Sequence, residues 1–206
     1  MSNIAIKGAD TGTGVFTLES PATNTDRTLT LPDEAGTVLT SAGDLPAGNL
    51  TGSVPASAMP AGSVLQVVST TKTDIFSTAS TSFVDVTGFS VSITPSSSSS
   101  KILIFATWSQ SQSNLSGLTV YNLLRDSTNL SQPSTTPAFN GTMNAFQTAA
   151  SGILPVSLSF LDSPSTTSAT IYKIQTRINT GTLYFNGRSP GDSASTATIT
   201  VMEIAG

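Results

Sequence analysis

The sequence contains no histidine and no cysteine, and charged residues make up only 10% of it. Without histidine, the usual catalytic triad, the commonest general base near neutral pH and most zinc sites are excluded. Without cysteine there is neither a disulfide framework nor a thiol nucleophile, so the fold has to be held together by packing and hydrogen bonds. Any catalytic role would rest on Asp and Glu.

The few charges are unevenly distributed. Residues 1–44 hold six acidic residues against Lys7 and Arg27, whereas the rest of the chain has six acids and six bases. Because binding to phosphates requires a basic face, nucleic acid is not an expected partner. The longest apolar stretch, residues 102–106, is too short to cross a bilayer, and the N-terminus lacks a secretory pattern. We expect a protein made in a cytoplasm, without membrane insertion.

Hydroxyl side chains take the place of charges: Ser and Thr make up roughly a third of the chain, beside 37% hydrophobic residues. The apolar residues fall into short runs with a period of two, as where Leu29 and Leu31 alternate with threonines. Such runs, bounded by Gly, Pro, Asn and Ser, are typical of β-strands, and no helical period is sustained. The sequence therefore predicts an all-β protein.

Three segments follow from these patterns. Residues 1–40 are predicted to form a small N-terminal β module; because so short a hairpin is only marginally stable alone, its apolar side should be covered by copies of itself or by a docking partner. Residues 41–62 hold three prolines and four glycines and are predicted to be an extended shaft or linker. Residues 63–206 are predicted to form an antiparallel β-sandwich head of the jelly-roll type.

The shaft segment has two interpretations. One is a flexible tether. The other is an extended, polyproline-like segment wound around two copies of itself. Three apolar residues would then face the common axis: Leu50, Val54 and Met59.

The strand predicted at residues 101–108 is apolar on both sides. Leu103 and Phe105 lie on one face, and Trp108 on the other together with Ile102 and Ile104. Because an antiparallel strand of a monomeric sandwich normally has one wet face, the second face needs a cover. That cover is either a neighbouring subunit of a closed, threefold assembly or a long loop such as residues 127–147. We favour the subunit, which makes Leu103, Phe105 and Trp108 predicted residues of the trimer interface or core.

The apolar pattern slips within residues 83–93. Val84 and Val86 share one face, but after Gly88 the apolar set continues as Phe89 and Val91. One extra residue in a strand produces such a slip, so we predict a β-bulge or tight bend at residues 87–88.

Four stretches of the chain resemble tail-fibre and other virion fibre proteins of marine bacteriophages: GVFTLESPATNTDRTLTLPDEAGTVLT, ASAMPAGSVLQVV, SATIYKIQTRI and TATITVMEIAG. The resemblance implies an N-terminal attachment segment, a trimeric shaft and a β-sandwich head similar to C1q- or TNF-like heads. It also implies location on the virion, at the tail or the capsid surface, and adhesion to a host glycan or protein. A capsid decoration or head fibre protein is the chief alternative.

The acidic residues after residue 60 are isolated in sequence: Asp74, Asp85, Asp126, Asp162, Asp192 and Glu203. A tailspike that cleaves glycans would need two of them to converge. Pairing of Asp126 with its neighbour Arg125, or a solvated strand face for Glu203, explains them more simply. We therefore predict no enzyme activity, no cofactor and no metal, and a glycan depolymerase is the least favoured alternative.

Two long loops are the candidates for receptor contact, because strands are committed to packing. Residues 127–147 contain Asn129, Gln132, Phe139 and Asn140, and residues 186–194 contain Asn186, Arg188 and Asp192. Amide and guanidinium groups beside an aromatic ring suit sugar hydroxyls. The same residue types are ordinary turn formers, so a purely structural role stays open.

Overall fold

A computed structural model of the protein describes residues 54–114, 117–135, 138–147, 152–188 and 193–206, with isolated positions before residue 29. The chain divides into two compact units, Met1–Thr51 and Gly52–Gly206. Apart from those isolated positions, the predicted attachment module and the first part of the shaft lie outside the described residues.

The prediction of an all-β protein is confirmed. The described residues form eleven strands and one short 3-10 turn, Ala56–Ala58. The strands are β1 (Val64–Lys72), β2 (Phe76–Thr78), β3 (Val84–Ile93), β4 (Lys101–Gln112), β5 (Leu118–Arg125), β6 (Thr128–Leu130), β7 (Met143–Phe146), β8 (Leu154–Asp162), β9 (Thr170–Ile178), β10 (Leu183–Phe185) and β11 (Ala197–Ile204).

Six of the strands form a first antiparallel sheet, which we call sheet A. The long strand β4 lies in its centre. On one side β4 pairs with β8, and on the other side it pairs with β11 and then with the short β10. Strand β1 lies outside β11, and β2 lies outside β10. Strands β1 and β8 therefore stand at opposite edges.

The other five strands form sheet B, in the order β3, β9, β5, with β6 and β7 sharing the far side of β5. The connections from β3 to β4, from β4 to β5 and from β8 to β9 each pass from one sheet to the other. One cluster of buried side chains is drawn from both sheets. This is the arrangement of an antiparallel β-sandwich.

Four aromatic rings form the centre of the core. Trp108 and Phe185 come from sheet A, and Phe89 and Tyr121 from sheet B; each is at most 3% exposed. Ring centroids are 4.9 Å apart for Trp108 and Tyr121 and 5.1 Å apart for Phe89 and Phe185. Tilted aromatic pairs at these distances stabilise a core beyond the area that they bury. The cluster therefore holds the two sheets against each other.

The predicted irregularity at residues 87–88 is confirmed, and it is larger than one residue. Five steps along β3, from Asp85 to Ser90, match only two steps along β9. The three extra residues are an odd number, so they exchange the faces of the strand, and Val86 and Phe89 both point into the core. Gly88 provides the backbone for this bend with a φ of +77°.

The sandwich has two different ends. At the entry end, Gly62 donates a hydrogen bond to the carbonyl of Ala205, and Ala205 donates one to Ser63, both at 2.8 Å. The chain therefore enters the sandwich beside its own C-terminus. At the opposite end, which we call the loop end, the described residues of the connections between strands are 79–83, 113–114, 117, 147, 152–153 and 179–182.

Candidate functional site

The two faces of β4 have different environments. Ile102, Ile104 and Trp108 point into the core and are at most 3% exposed. On the other face Leu103 is half-buried, and Phe105 is 43% exposed. Trp108 is thus a core residue, whereas Leu103 and Phe105 lie on the outer surface of sheet A.

Across that surface the register aligns four apolar side chains from four adjacent strands. Val67 lies beside Met202, Met202 beside Leu103, and Leu103 beside Leu161. Phe105 lies on the same face, two residues after Leu103 in β4. Val67, Leu161 and Phe105 are 55%, 50% and 43% exposed. We call these five residues the apolar row. A contiguous exposed patch of this kind is typical of an interaction surface.

Hydroxyl groups surround the apolar row. The register places Ser69, Thr200 and Ser159 in line with Phe105. Among the described strand positions on this face of sheet A, Lys101 at the entry end is the only charged residue. Depletion of charge is a compositional mark of protein interfaces, and this face shows it.

The outer face of sheet B is charged. The Asp85 carboxylate accepts hydrogen bonds from Lys173 at 2.8 Å and from Gln175 at 2.7 Å. The hydrogen bond from Lys173 is the main reason that the pKa of Asp85 lies below its ordinary value. An ionised network of this kind is suited to contact with water, in contrast to the face of sheet A.

The same face of sheet B is partly covered by the chain's own residues 131–135 and 138–142. The guanidinium of Arg177 lies over two aromatic rings, 5.0 Å from the centroid of Phe83 and 5.6 Å from that of Phe139, and donates a hydrogen bond to the carbonyl of Ala138 at 2.6 Å. Val120, an outward residue of β5, is fully buried. The long loop proposed as an alternative cover for residues 101–108 therefore covers β5, and Phe105 stays exposed.

The first group of predicted receptor residues belongs to this covering region. Asn129 is exposed in β6, and Asn140 is half-buried. Gln132 donates a hydrogen bond to Asn122 at 3.0 Å, and Phe139 is 38% exposed beneath Arg177. The segment also contains β6 and β7, so it is not the single long loop that the sequence indicated.

The second predicted group requires a correction. Asn186 is fully buried, and its amide donates to the carbonyl of Lys72 at 3.2 Å. A side chain with no exposed surface cannot contact a receptor, so the prediction for Asn186 is wrong. Arg188 is half-buried, and its backbone N–H bonds to Ser193 at 3.2 Å. Asp192 lies outside the described residues.

Asp162 joins the two sheets. Its carboxylate, at the end of β8, accepts hydrogen bonds from Arg125 at 2.9 and 3.0 Å and from the phenol of Tyr172 at 2.8 Å. Asp126 instead accepts a bond from the backbone N–H of Ile171 at 3.0 Å. The expected pairing of Arg125 with Asp126 is therefore wrong, and the partner of Arg125 comes from the opposite sheet.

Glu203 is fully buried near the entry end, which corrects the expectation of a solvated face. One carboxylate oxygen accepts bonds from the hydroxyls of Ser96 and Ser100 and from the Ser96 N–H, each at 2.7 Å, and the other accepts from Gln66 at 2.6 Å. Burial is the largest single influence and raises the pKa of Glu203. The hydrogen bonds together outweigh it and hold the pKa below its ordinary value.

The end of the predicted shaft is partly described. Val54 and Met59 are 49% and 36% exposed, and the 3-10 turn Ala56–Ala58 lies between them. Pro55 and Met59 themselves have extended backbones, with ψ values of 147° and 136°. Leu50 lies outside the described residues, and the common axis stays a prediction.

No group of three or more Asp or Glu side chains in the described ranges is placed to hold a metal ion. No helix in the described part of the chain is long and apolar enough to cross a membrane.

In comparisons with known proteins, no protein-family model matches the chain and no curated protein is significantly similar to it.

Proposed function

We propose that the protein is a structural and adhesive component of a bacteriophage particle, a homotrimeric fibre whose sandwich is the head. In this proposal residues 1–40 attach the fibre to other virion proteins, residues 41–62 form the shaft, and the head contacts the host surface. The mechanism is adhesion without catalysis.

The exposed apolar row is the observation that carries the proposal. The chain buries the outward residues of β5 beneath its own loop, yet it leaves Val67, Phe105 and Leu161 exposed on a face whose only charged residue among the described strand positions is Lys101. A sister subunit can cover this face while removing little charge from water. In a closed cyclic assembly, every copy of the chain covers the same face of a neighbour. Threefold symmetry comes from the resemblance to virion fibres.

The strand order supports the resemblance to C1q- and TNF-like heads. The succession β1, β11, β4, β8 in one sheet faces β3, β9, β5, β7 in the other, and neighbours in the chain repeatedly lie in opposite sheets. This alternation is a property of jelly rolls. Because one fold serves many functions, the assignment to a phage particle rests on the sequence motifs together with the apolar row.

Three head copies make weak contacts useful. Linked sites bind a repetitive surface together, so avidity exceeds the affinity of each site without any new contact. A head with modest individual sites therefore suffices for attachment to a host.

The molar mass of the full chain in solution tests the assembly. A value of about three times 21.0 kDa supports the proposal, and a stable monomer of 21.0 kDa overturns it. Labelling of intact particles tests the location: label at the tail supports a tail fibre, label over the shell supports the capsid decoration alternative, and absence of label from particles contradicts both.

A further inference from the structure

The loop end of the sandwich lies as far as the fold allows from the point where the chain enters. Strand β4 runs from Lys101 at the entry end to Gln112 at the loop end. At roughly 3.3 Å per residue, its length separates the two ends by on the order of 35 to 40 Å. In a fibre attached through residues that precede the sandwich, the loop end is the part that meets another surface.

The loops at this end are bonded to one another. Ser113 donates its N–H to the carbonyl of Thr182, and Thr182 donates its N–H to the Ser113 hydroxyl, both at 2.9 Å. The Ile178 N–H bonds to the Ser80 carbonyl at 2.9 Å, and the Leu118 N–H to the Asn179 side chain at 2.6 Å. Three separate connections therefore form one fixed surface, and a fixed surface loses little entropy when it binds.

Close packing supports the same conclusion. Gly181 has a φ of +79°, and a Cβ at this position would lie 2.9 Å from Asn114 and 2.9 Å from Ser113. The backbone of residues 179–182 thus rests directly on residues 113–114. An ordinary side chain at Gly181 would push the two connections apart.

The exposed side chains of the loop end are uncharged, and most of them are polar. Thr81, Ser82, Ser113, Asn179 and Thr180 are exposed, and the described residues of the loop-end connections include no charged residue. Phe146 and Ile153, 52% and 42% exposed, add apolar surface at the same end. Hydroxyl and amide groups both donate and accept hydrogen bonds, which matches the hydroxyls of a sugar. A surface without cations offers no charge pairing to phosphate or carboxylate groups.

We infer that the loop end is the ligand-binding surface of the head and that its ligand is an uncharged, hydroxyl-rich surface polysaccharide. This inference rests on the proposed adhesive function and replaces the two loops that the sequence favoured. In those loops, residues 132 and 138 are bonded to sheet B, and Asn186 is buried.

The test is binding of the full chain to an array of bacterial surface polysaccharides that includes neutral and acidic members. The variant Thr81→Trp/Thr180→Trp places two bulky rings on the loop end. The variant Thr81→Ala/Thr180→Ala removes two of its hydroxyl groups with little change in bulk. Thr167→Trp near the entry end and Asn129→Trp in β6 are controls at exposed positions elsewhere. The unfolding midpoint and molar mass of every variant are measured on the same samples.

We expect wild type to bind neutral members with little dependence on salt, since charge plays no part. The double Trp variant should lose about 100-fold in apparent affinity, because a weaker contact at each of the three linked sites lowers the avidity of the whole trimer. The double Ala variant should lose about 10-fold for the same reason. Both controls should stay within about twofold. If the double Trp variant does not fold, the polysaccharide affinity of the double Ala variant tests the inference.

Three results overturn the inference: binding to acidic members alone, loss of binding in a control but not at the loop end, and no binding to any member. A trimer that binds nothing defeats this inference and leaves the assembly intact. A monomer defeats the proposed function itself.

Discussion

The phenol of Tyr172 in sheet B donates a hydrogen bond of 2.8 Å to the carboxylate of Asp162 in sheet A. Arg125 of sheet B donates to the same carboxylate. Asp162 is therefore an ionic and hydrogen-bonded link between the two layers of the sandwich. The aromatic cluster around Trp108 is the second link between the two sheets, and it consists of contacts between aromatic rings.

The substitution Tyr172→Phe removes one bond from this link and leaves the ring in place. A hydrogen bond to a charged group contributes about 1.5–3 kcal/mol, so we expect a loss of that size in the free energy of unfolding, measured by urea denaturation. Tyr184→Phe is the matched control, since Tyr184 is half-buried in the same kind of strand. An equal loss in both variants would contradict a specific role for the bond to Asp162.

Glu203 is expected to make stability depend on acid pH. Its pKa in the folded protein lies below the ordinary value of 4.5. The stabilisation is therefore fully present above pH 4.5 and is lost as the pH falls through the lower, folded pKa. The variant Glu203→Gln should unfold more easily at neutral pH and lose less stability as the pH falls from neutral through the folded pKa of Glu203. Parallel stability curves for the two proteins would contradict this prediction.

Gly88 is expected to tolerate substitution poorly although space is available. A Cβ there would meet only Lys72, at 3.6 Å, but the φ of +77° is strained for most residues. We expect Gly88→Ala to lower the free energy of unfolding by about 1–2 kcal/mol. Gly88→Asn should lose less, because Asn adopts positive φ more readily. Equal losses for Ala and Asn would indicate that crowding, not backbone strain, is the cause.

Arg177 is expected to hold residues 138–142 against sheet B. Lysine keeps the positive charge but has no planar group to lie over Phe83 and Phe139 and cannot reproduce the guanidinium contacts. In Arg177→Lys we expect faster amide hydrogen exchange in residues 138–142, with exchange in β4 unchanged. Uniformly faster exchange throughout the sandwich would instead mean that Arg177 supports the whole fold.

The parts of the fold that depend on local pattern were predictable. The alternation of apolar residues located the strands, and the change of face between Val86 and Phe89 located the irregularity in β3. The size of that irregularity was not predictable, since one and three extra residues exchange the faces equally. The sequence also separated Trp108 from Leu103 and Phe105 correctly, because side chains alternate across a strand.

The parts that depend on distant residues were missed. The residues next to Glu203 in sequence form an ordinary strand pattern. The serines that donate hydrogen bonds to its carboxylate lie more than a hundred residues earlier. Arg125 is adjacent to Asp126 in sequence, but Asp126 lies in the turn after β5 with a φ of 53° and accepts a bond from the backbone of Ile171. The partner of Arg125 is Asp162, which no local pattern indicates. Asn186 precedes a glycine, which is typical of an exposed turn, yet the fold turns it inward.

The apolar row yields the most direct test of assembly. Phe105 on sheet A and Ile171 on sheet B are 43% and 45% exposed, so each can be replaced by lysine without burying a charge within the subunit. If sister chains cover sheet A, Phe105→Lys places a cation in their interface, and the molar mass should fall from about three times 21.0 kDa to 21.0 kDa. Ile171→Lys should stay trimeric. Circular dichroism of both variants verifies that the sandwich is intact, and a Phe105→Lys protein that remains trimeric would place the subunit contact on another surface.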